Sequence, residues 1–333
     1  MLFSPRDIFK IQSDSEFNQF AIKVFHYQYK QNPIYNAFVN HLFQRKKQDI
    51  SSIQYYTQIP FLPIEFFKFH TVTCFSITPT TLFFESSGTT QNNLSRHYIL
   101  DESIYKESIL RGFTHFYGHP KNYLFIFLLP NEDQRPHSSL IYMAKYLQSL
   151  SIYQESGFYL NDFNTARSLI EKHLKINTRI FILGLSYALM DFCENSSKIE
   201  SPSVIVMETG GMKGKRKEMP KHLFHAYLKE KLAVNSIHSE YGMTELLSQA
   251  YSKNDGIFYT PPWMKVLVRE MDDPFSIYTS NKQGLINIID LANIHSCSFI
   301  ATSDLGKLYD DESFEILGRS DFSDLRGCNL MYQ

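Results

Sequence analysis

The stretch Tyr123–Pro130, YLFIFLLP, is a run of seven apolar or aromatic residues closed by a proline. A continuous apolar run of this length is typical of a strand that is buried on both faces of a parallel sheet. The following segment, SSLIYMAKYLQSL, has helical spacing, and its first residue, Ser138, is a suitable N-cap. These residues therefore predict a strand followed by a helix, the repeating unit of an α/β fold.

The same alternation continues along the chain. A helix is predicted for TARSLIEKHL, a strand for TRIFILG, a strand for SVIVMET and a helix for KHLFHAYLKEKL. Strands that alternate with helices predict a mostly parallel sheet with helices on both faces.

The two ends of the chain have a different pattern. FNQFAIKVFHYQY (residues 17–29) predicts a helix, and prolines at positions 60, 63 and 79 then break the pattern. Past Pro261, GLINIID and SCSFIATSDLG predict short strands and turns. We expect three parts: an N-terminal helical segment packed on the core (residues 1–80), an α/β core (81–260) and a small β-rich C-terminal part (261–333).

Composition excludes several classes of protein. The chain has 333 residues, 43% of them hydrophobic, and a net charge of −1. It is therefore expected to be globular, with no basic field to recruit nucleic acid or an anionic membrane. No segment approaches the roughly 18 apolar residues of a membrane span, and no secretory leader is recognisable. The four cysteines lack CxxC spacing, so we expect reduced thiols and a cytoplasmic protein.

A loop rich in hydroxyl groups follows an apolar run in FFESSGTTQNNLSRHY (residues 83–98). Small residues let backbone N–H groups approach phosphate oxygens, and the hydroxyls add donors. The segment SSGTT, the hydroxyl loop (residues 86–90), lacks the spacing and the lysine of the common P-loop. It is either a phosphate-binding loop or an ordinary surface turn.

Three further loops also follow strand-like runs. The basic loop, GGMKGKRKE (residues 210–218), comes after SVIVMET; the YGMTE loop (residues 241–245) comes just before a helix-like segment; and FIATSDLG places Asp304 at a strand end. Ligands of open parallel sheets bind beyond the carboxyl ends of strands, so we expect these loops to converge. Taken singly, the YGMTE loop also fits a helix entrance, the basic loop a solvated charge run, and Asp304 a turn residue. The histidines are expected to be surface or core residues rather than metal ligands.

In their order, SSGTT, YGMTE, TSD and GRSD resemble the motifs of the adenylate-forming superfamily of acyl-CoA synthetases and nonribosomal adenylation domains. GGMKGKRKE and the terminal RGCNLM are more specifically similar to the LuxE-type acyl-protein synthetases, which are relatives of phenylacetate–CoA ligase. The resemblance covers residues 80–333. It implies the α/β fold of the N-terminal domain of adenylate-forming enzymes.

The resemblance also implies a role for each matching residue, with ATP and Mg²⁺ as the bound groups. The phosphates would be held by Ser86, Ser87, Gly88, Thr89 and Thr90. Adenine would lie against Tyr241, next to Gly242, and beside Gly210 and Gly211. Thr244 would bind the α-phosphate, Glu245 would hold Mg²⁺, and Asp304 would accept hydrogen bonds from the ribose. Arg319 would donate to the ribose or to the carboxylate, and Asp321 falls at the hinge position.

The sequence departs from the superfamily pattern in two places. The phosphate loop usually ends in Gly-x-Pro-Lys, whereas this chain has QNNLSR, so Arg96 is expected to supply the charge. The chain ends shortly after GRSD, so we expect the usual C-terminal domain, whose lysine assists adenylation, to be absent. One of Lys213, Lys215 and Arg216 then replaces that lysine, or the basic loop is simply solvated.

In LuxE-type proteins the acyl group moves from the adenylate to a cysteine near the C-terminus, and Cys328 matches that position. Its neighbour Arg326 would lower the thiol pKa, whereas the other three cysteines are assigned to packing. The resemblance thus implies an AMP-forming acid–thiol ligase that acts on a fatty or aromatic acid and serves an acceptor protein, such as an acyl reductase or carrier. The alternatives are a ligase that acylates CoA or an amine or hydroxyl of a sugar, peptide or pigment precursor, and a nucleotide-binding scaffold without turnover.

Overall fold

The structure is a computed structural model that describes residues 3–47, 49–87, 94–194, 198–271, 273, 276–278 and 281–320. Its contacts divide the chain into two compact units. The first comprises the residues up to Pro79 together with those from Pro262 onward, and the second comprises Thr80–Pro261. The three-part organisation expected from the sequence stays a prediction.

The elements are numbered in chain order. The α-helices are α1 Asp14–Gln31, α2 Pro33–Lys46, α3 Phe66–Phe69, α4 Glu102–Tyr117, α5 Ser139–Leu150, α6 Phe163–Leu174, α7 Ser186–Glu194 and α8 Lys221–Leu232. The strands are β1 Leu62–Pro63, β2 Leu82–Glu85, β3 Arg96–Ile99, β4 Tyr123–Leu128, β5 Gly157–Phe158, β6 Arg179–Leu185, β7 Val204–Thr209, β8 His238–Tyr241, β9 Ala250–Ser252, β10 Ile257–Phe258, β11 Met264–Arg269, β12 Ile277–Tyr278, β13 Gln283–Asp290, β14 Phe299–Leu308 and β15 Phe314–Arg319.

The second unit is built on a parallel sheet with the order β5-β4-β6-β7-β8-β9. Neighbours from β5 to β8 are parallel, and β9 is antiparallel to β8. All six residues of β4 are buried, as the apolar run Tyr123–Pro130 predicted. The predicted helix after it is α5, and its N-cap Ser138 accepts a hydrogen bond from the Ile141 N–H. The α/β fold class is confirmed.

The core of this unit is largely aromatic. Phe181 on β6 lies 5.1 Å from Phe113 of α4 and 5.7 Å from Phe125 of β4, measured between ring centroids. All three side chains are buried. Rings in edge-to-face or tilted contact each bury a large apolar area. These rings therefore contribute to core packing.

The first unit contains the helices α1, α2 and α3 and a mostly antiparallel sheet. Strand order is β15-β14-β13-β11-β12, and β1 pairs in parallel with β14. Helix α1, predicted from residues 17–29, is joined to the segment after β13 by the buried Gln28. Its amide donates to the Asn293 carbonyl at 2.9 Å and accepts from the Ser298 N–H at 3.0 Å. Because both ends of a buried amide are satisfied, this contact fixes the helix on the sheet.

Two local expectations are wrong. No helix follows the YGMTE loop: the chain turns through Met243–Leu246 and returns as β9, antiparallel to β8. Asp304 lies in the middle of the ten-residue strand β14 rather than at a strand end. In both segments the pairing strand lies elsewhere in the chain, so local spacing did not reveal it.

Within the described residues, no helix is both long and apolar enough to cross a membrane.

Candidate functional site

The hydroxyl loop begins at the tip of a two-stranded hairpin. Strands β2 and β3 pair with Glu85 opposite Arg96. Beyond them the Ser86 N–H donates to the Ser95 carbonyl at 3.1 Å, and the Ser95 N–H donates to Ser86 Oγ at 3.0 Å. The chain is therefore closed at the base of this loop. Gly88, Thr89 and Thr90 lie outside the described residues.

Arg96 was expected to supply charge to this loop. In the structure its Nε lies 2.8 Å from Glu85 Oε1, and its guanidinium lies 5.5 Å from the Phe83 ring centroid. The hydrogen bond to Glu85 is the main cause of a raised pKa of Arg96. The charge of Arg96 is thus paired with its cross-strand neighbour.

The basic loop begins with two glycines in left-handed conformations. Gly210 has φ +77° and Gly211 has φ +114°. A Cβ on Gly210 would stand 3.0 Å from Leu185 Cδ2 and 3.4 Å from Lys213 Cε. The stem of Lys213 thus passes close to Gly210, and its Nζ donates to Ser87 Oγ at 2.9 Å. This hydrogen bond joins the basic loop to the hydroxyl loop.

The other two cations of the basic loop have different partners. Lys215 Nζ lies 4.5 Å from the Tyr187 ring centroid. Arg216 contacts both Glu194 and Asp191 on α7, at 2.7 and 2.5 Å. Its hydrogen bond to Glu194 is the largest cause of a raised pKa of Arg216. Of the three candidates for a phosphate-binding cation, Lys213 contacts the described part of the hydroxyl loop, at Ser87.

The YGMTE loop is tied to the same hairpin by a histidine. His97 on β3 is buried, and its Nδ1 lies 2.9 Å from the Thr244 carbonyl oxygen. Burial lowers the pKa of His97 to about 4, although the bond to Thr244 opposes that shift. The ring is therefore neutral near pH 7, and its Nδ1 carries the proton because a carbonyl can only accept. A second anchor is Ser248 Oγ, 3.0 Å from Ser108 Oγ of α4.

The basic and YGMTE loops begin side by side. They follow β7 and β8, which are adjacent parallel strands, so both leave the same edge of the sheet. At this edge Thr209 Oγ1 donates to Glu240 Oε2 at 2.5 Å. With the contacts of Lys213 and His97, this places three of the predicted loops together in the second unit.

Two predicted ligand groups lie in the YGMTE loop. The ring of Tyr241 packs edge-on against Phe258, with 5.9 Å between centroids. Glu245 is 5% exposed. No group of three or more His, Cys, Asp or Glu side chains among the described residues could hold a metal ion. One carboxylate fits Mg²⁺ that is bound mainly through substrate phosphates and water, so the residues present suit the ion.

The remaining predicted residues lie in the first unit or outside the part of the chain that the structure describes. Asp304 on β14 is opposite Arg319 on β15, and Arg319 Nε lies 3.2 Å from Asp304 Oδ1. Asp304 is 7% exposed, whereas the Arg319 side chain is 68% exposed.

Cys328 and Asp321 fall outside the described residues. The cysteines assigned to packing include Cys193 and Cys297, which are buried. Burial raises their thiol pKa values to about 11 and 12, respectively.

Sequence reasoning missed the residues that join the loops. His97 directly follows the QNNLSR segment but belongs to no recognised motif, and Thr209 and Glu240 directly precede the two recognised loops. A carboxylate before the YGMTE loop was the one available signal, because a buried acid requires a partner. The partner itself is set by the pairing of β7 with β8.

Comparison with known structures shows the same architecture. The ATP-bound MatB of Rhodopseudomonas palustris matches 71% of this chain with a TM-score of 0.53 and 14% identity. A 2-hydroxyisobutyryl-CoA ligase in complex with 2-HIB-AMP and CoA matches 92% with a TM-score of 0.65 and 9% identity. The luciferase-like enzyme of the nonluminescent Zophobas morio mealworm matches 74% with a TM-score of 0.50 and 13% identity.

These likenesses establish the fold. The chain has the α/β fold of the N-terminal domain of adenylate-forming enzymes. It spans about half the length of MatB, since the match covers 47% of that chain, and it covers 69% of the 2-hydroxyisobutyryl-CoA ligase and 60% of the luciferase-like enzyme. No protein-family profile matches the sequence, and no curated protein matches it significantly.

We expect Gly210→Ala to destabilise the second unit, because an alanine there has both an unfavourable φ and a Cβ 3.0 Å from Leu185. The left-handed conformation alone costs about 1 kcal/mol for a residue with a side chain. The matched control is Gly214→Ala, at φ +67° with nothing within 4 Å of its Cβ. Urea denaturation should show a larger decrease in the free energy of unfolding for Gly210→Ala than for the control. Equal losses would mean that Gly210 is not crowded.

Proposed function

We propose that this protein is an ATP-dependent, AMP-forming ligase that adenylates a carboxylic acid. The observation that carries the proposal is the hydrogen bond from Lys213 Nζ to Ser87 Oγ. It brings a cation to a loop of hydroxyl groups, next to the edge where β7 and β8 end. The fold supports the proposal, since solved structures with the same fold were obtained with ATP or with an acyl adenylate.

The chemistry needs positioning and charge neutralisation more than a strong base. A carboxylate oxygen attacks the α-phosphorus of ATP, the bond to the bridging oxygen breaks, and pyrophosphate leaves. The nucleophile is already an anion, so the enzyme has no proton to remove. Ser86, Ser87 and Lys213 would bind the β- and γ-phosphates, and Thr244 would bind the α-phosphate.

The metal and the nucleoside have separate proposed ligands. Mg²⁺, when bound, neutralises charge on the phosphates, and Glu245 is the carboxylate that would hold it. Tyr241 and Gly242 would adjoin adenine, together with Gly210 and Gly211. The ribose role of Asp304 and the substrate role of Arg319 stay predictions from the resemblance.

For the second half-reaction we propose transfer to a cysteine of the chain itself. The thiolate of Cys328 would attack the acyl carbonyl, AMP would leave, and a thioester would form for passage to an acceptor protein. This step rests on the similarity to LuxE-type proteins. The alternative is direct transfer of the acyl group to CoA, or to an amine or a hydroxyl. The CoA bound in the 2-hydroxyisobutyryl-CoA ligase supports transfer to CoA.

The test of adenylation is carboxylate-dependent exchange of labelled pyrophosphate into ATP, screened over fatty and aromatic acids. Glu245→Gln should reduce this exchange about 100-fold or more, because a neutral amide binds Mg²⁺ weakly and loses several kcal/mol at the transition state. The amide keeps the shape of the side chain, so the thermal midpoint should change little. Exchange near the wild-type rate would remove Glu245 from the site. No exchange with any acid would favour the nucleotide-binding scaffold.

Lys213→Ala should raise the KM for ATP in the same assay by about ten- to a hundredfold, as expected for loss of one charge-assisted phosphate contact of about 1.5–3 kcal/mol. The matched control is Lys215→Ala, which removes the same charge from the same loop but from a side chain that lies over Tyr187. We expect the control to stay within about twofold of wild type. Equal effects of the two changes would indicate a general charge effect of a solvated loop.

Cys328→Ser should still exchange pyrophosphate, because the thiol takes no part in the attack on ATP. It should form no hydroxylamine-sensitive thioester, since a serine hydroxyl is scarcely ionised at neutral pH. Intact-mass measurement after incubation with ATP, Mg²⁺ and an active acid detects the adduct. The matched control is Cys193→Ser, a buried thiol that we expect to leave the adduct in place. A wild-type protein that turns over acid without an adduct at Cys328 would favour direct transfer.

A further inference from the structure

Glu240 lies between the end of β7 and the start of the YGMTE loop. It lies on β8, beside Thr209 at the end of β7, and its Oε2 accepts the 2.5 Å hydrogen bond from Thr209 Oγ1. Thr209 is buried and directly precedes Gly210. This side of the carboxyl therefore holds the end of β7, from which the basic loop leaves.

The second oxygen of the same carboxyl lies against the YGMTE loop. A Cβ on Gly242 would stand only 2.4 Å from Glu240 Oε1. That separation is shorter than any real contact of a Cβ, so a residue with a side chain at position 242 would displace the carboxyl. Gly242 is thus required for the close approach of Glu240, independently of any backbone strain.

Charged and titratable groups surround this carboxyl. Glu208 on β7 is buried, with Lys221 of α8 at 3.0 Å and His225 of α8 at 3.5 Å. Burial opposes ionisation of Glu208, but the contact with His225 and the charge of Lys221 outweigh it and hold the pKa of Glu208 at about 2. On the other side, Tyr251 of β9 is the register partner of Glu240.

These surroundings place the titration of Glu240 near neutrality. Burial is the largest cause, and the negative charge of Glu208 adds to it; the bond from Thr209 and the charge of Lys221 oppose them. The result is a pKa of about 7 for Glu240. The bond from Thr209 favours the ionised form, since a carboxylate is the stronger acceptor.

We propose that Glu240 is a positioning residue that holds the end of β7, where the basic loop begins, beside the YGMTE loop and takes up a proton when an anionic nucleotide binds there. The inference rests on the proposed function, which places the nucleotide between these loops. A second negative charge close to the carboxyl disfavours its ionised form. The protonated form of Glu240 therefore binds the nucleotide more tightly.

The sign of the pH dependence follows from linkage. Below pH 7 most Glu240 is already protonated, and binding requires no further proton. Above pH 7 the free protein has an ionised Glu240, and binding must include the uptake of a proton, so the Kd rises with pH. Gln at position 240 keeps an acceptor for Thr209 and imitates the neutral form at every pH.

The experiment measures the Kd of ATP with Mg²⁺ by isothermal titration calorimetry at pH 6, 7 and 8, for wild type and Glu240→Gln. The ratio of the wild-type Kd to the variant Kd should be near one at pH 6 and rise to about three- to tenfold at pH 8. Titration of the ATP itself cancels in this ratio. Repeats in buffers of different ionisation enthalpy should show more proton uptake by wild type than by the variant near pH 7.

A second pair of variants separates this role from a merely structural one. Thr209→Val removes the hydrogen bond that favours the ionised carboxylate, so the midpoint of the pH dependence should move above that of wild type. Thr209→Ser keeps the hydroxyl and should leave the midpoint unchanged. If Glu240→Gln fails to fold, as judged by circular dichroism, the shift of the pH midpoint in Thr209→Val tests the role of Glu240 instead.

The outcomes distinguish the two proposals. A wild-type protein that binds ATP with the same pH dependence as Glu240→Gln, or with a midpoint that Thr209→Val does not move, overturns the role of Glu240 and leaves the proposed function in place. A wild-type protein that binds no ATP at any of the three pH values overturns both.

Discussion

The parallel pairing of β7 with β8 is the constraint on which the candidate site depends. Its register, Met207 with His238 and Glu208 with Ser239, brings the ends of both strands to one edge of the sheet. The basic loop and the YGMTE loop leave from that edge. Because a one-residue slip would turn every side chain of a strand to the opposite face, the register also decides that Thr209 and Glu240 meet. The buried strands β4 and β6 in turn hold β7 within the sheet.

The hydroxyl loop reaches the same region by a different route. It belongs to a separate hairpin, so the sheet edge does not place it. Two side-chain contacts do so: Lys213 with Ser87, and His97 with the Thr244 carbonyl. The first is exposed and cationic, and it can exchange Ser87 for a phosphate oxygen at little cost. The second is buried and neutral, which suits a permanent anchor because an unpaired buried group would cost several kcal/mol.

The electrostatics of this region combine fixed and variable charges. Arg216 forms ion pairs with two carboxylates of α7, and Glu208 forms an ion pair with Lys221 of α8. A change of partner would therefore cost free energy for either group. Lys213 has a long flexible stem, and burial raises the pKa of Glu240 to about 7, so both can respond to a ligand. A site for a polyanion benefits from such a division, since rigid pairs preserve the shape of the loops while mobile charge meets the ligand.

The sequence by itself determined the α/β class, the helix and strand pattern of residues 123–232, and the position of each candidate loop along the chain. These follow from periodicity, caps and glycines, which act over a few residues. The partners of those loops were decided only by the tertiary structure. Lys213 rather than Arg216 faces Ser87, Arg96 pairs with Glu85, and the segment after the YGMTE loop becomes the antiparallel strand β9. Each of these outcomes depends on a residue distant in sequence or on cross-strand register, and the energy of such a contact exists only when the chain is folded.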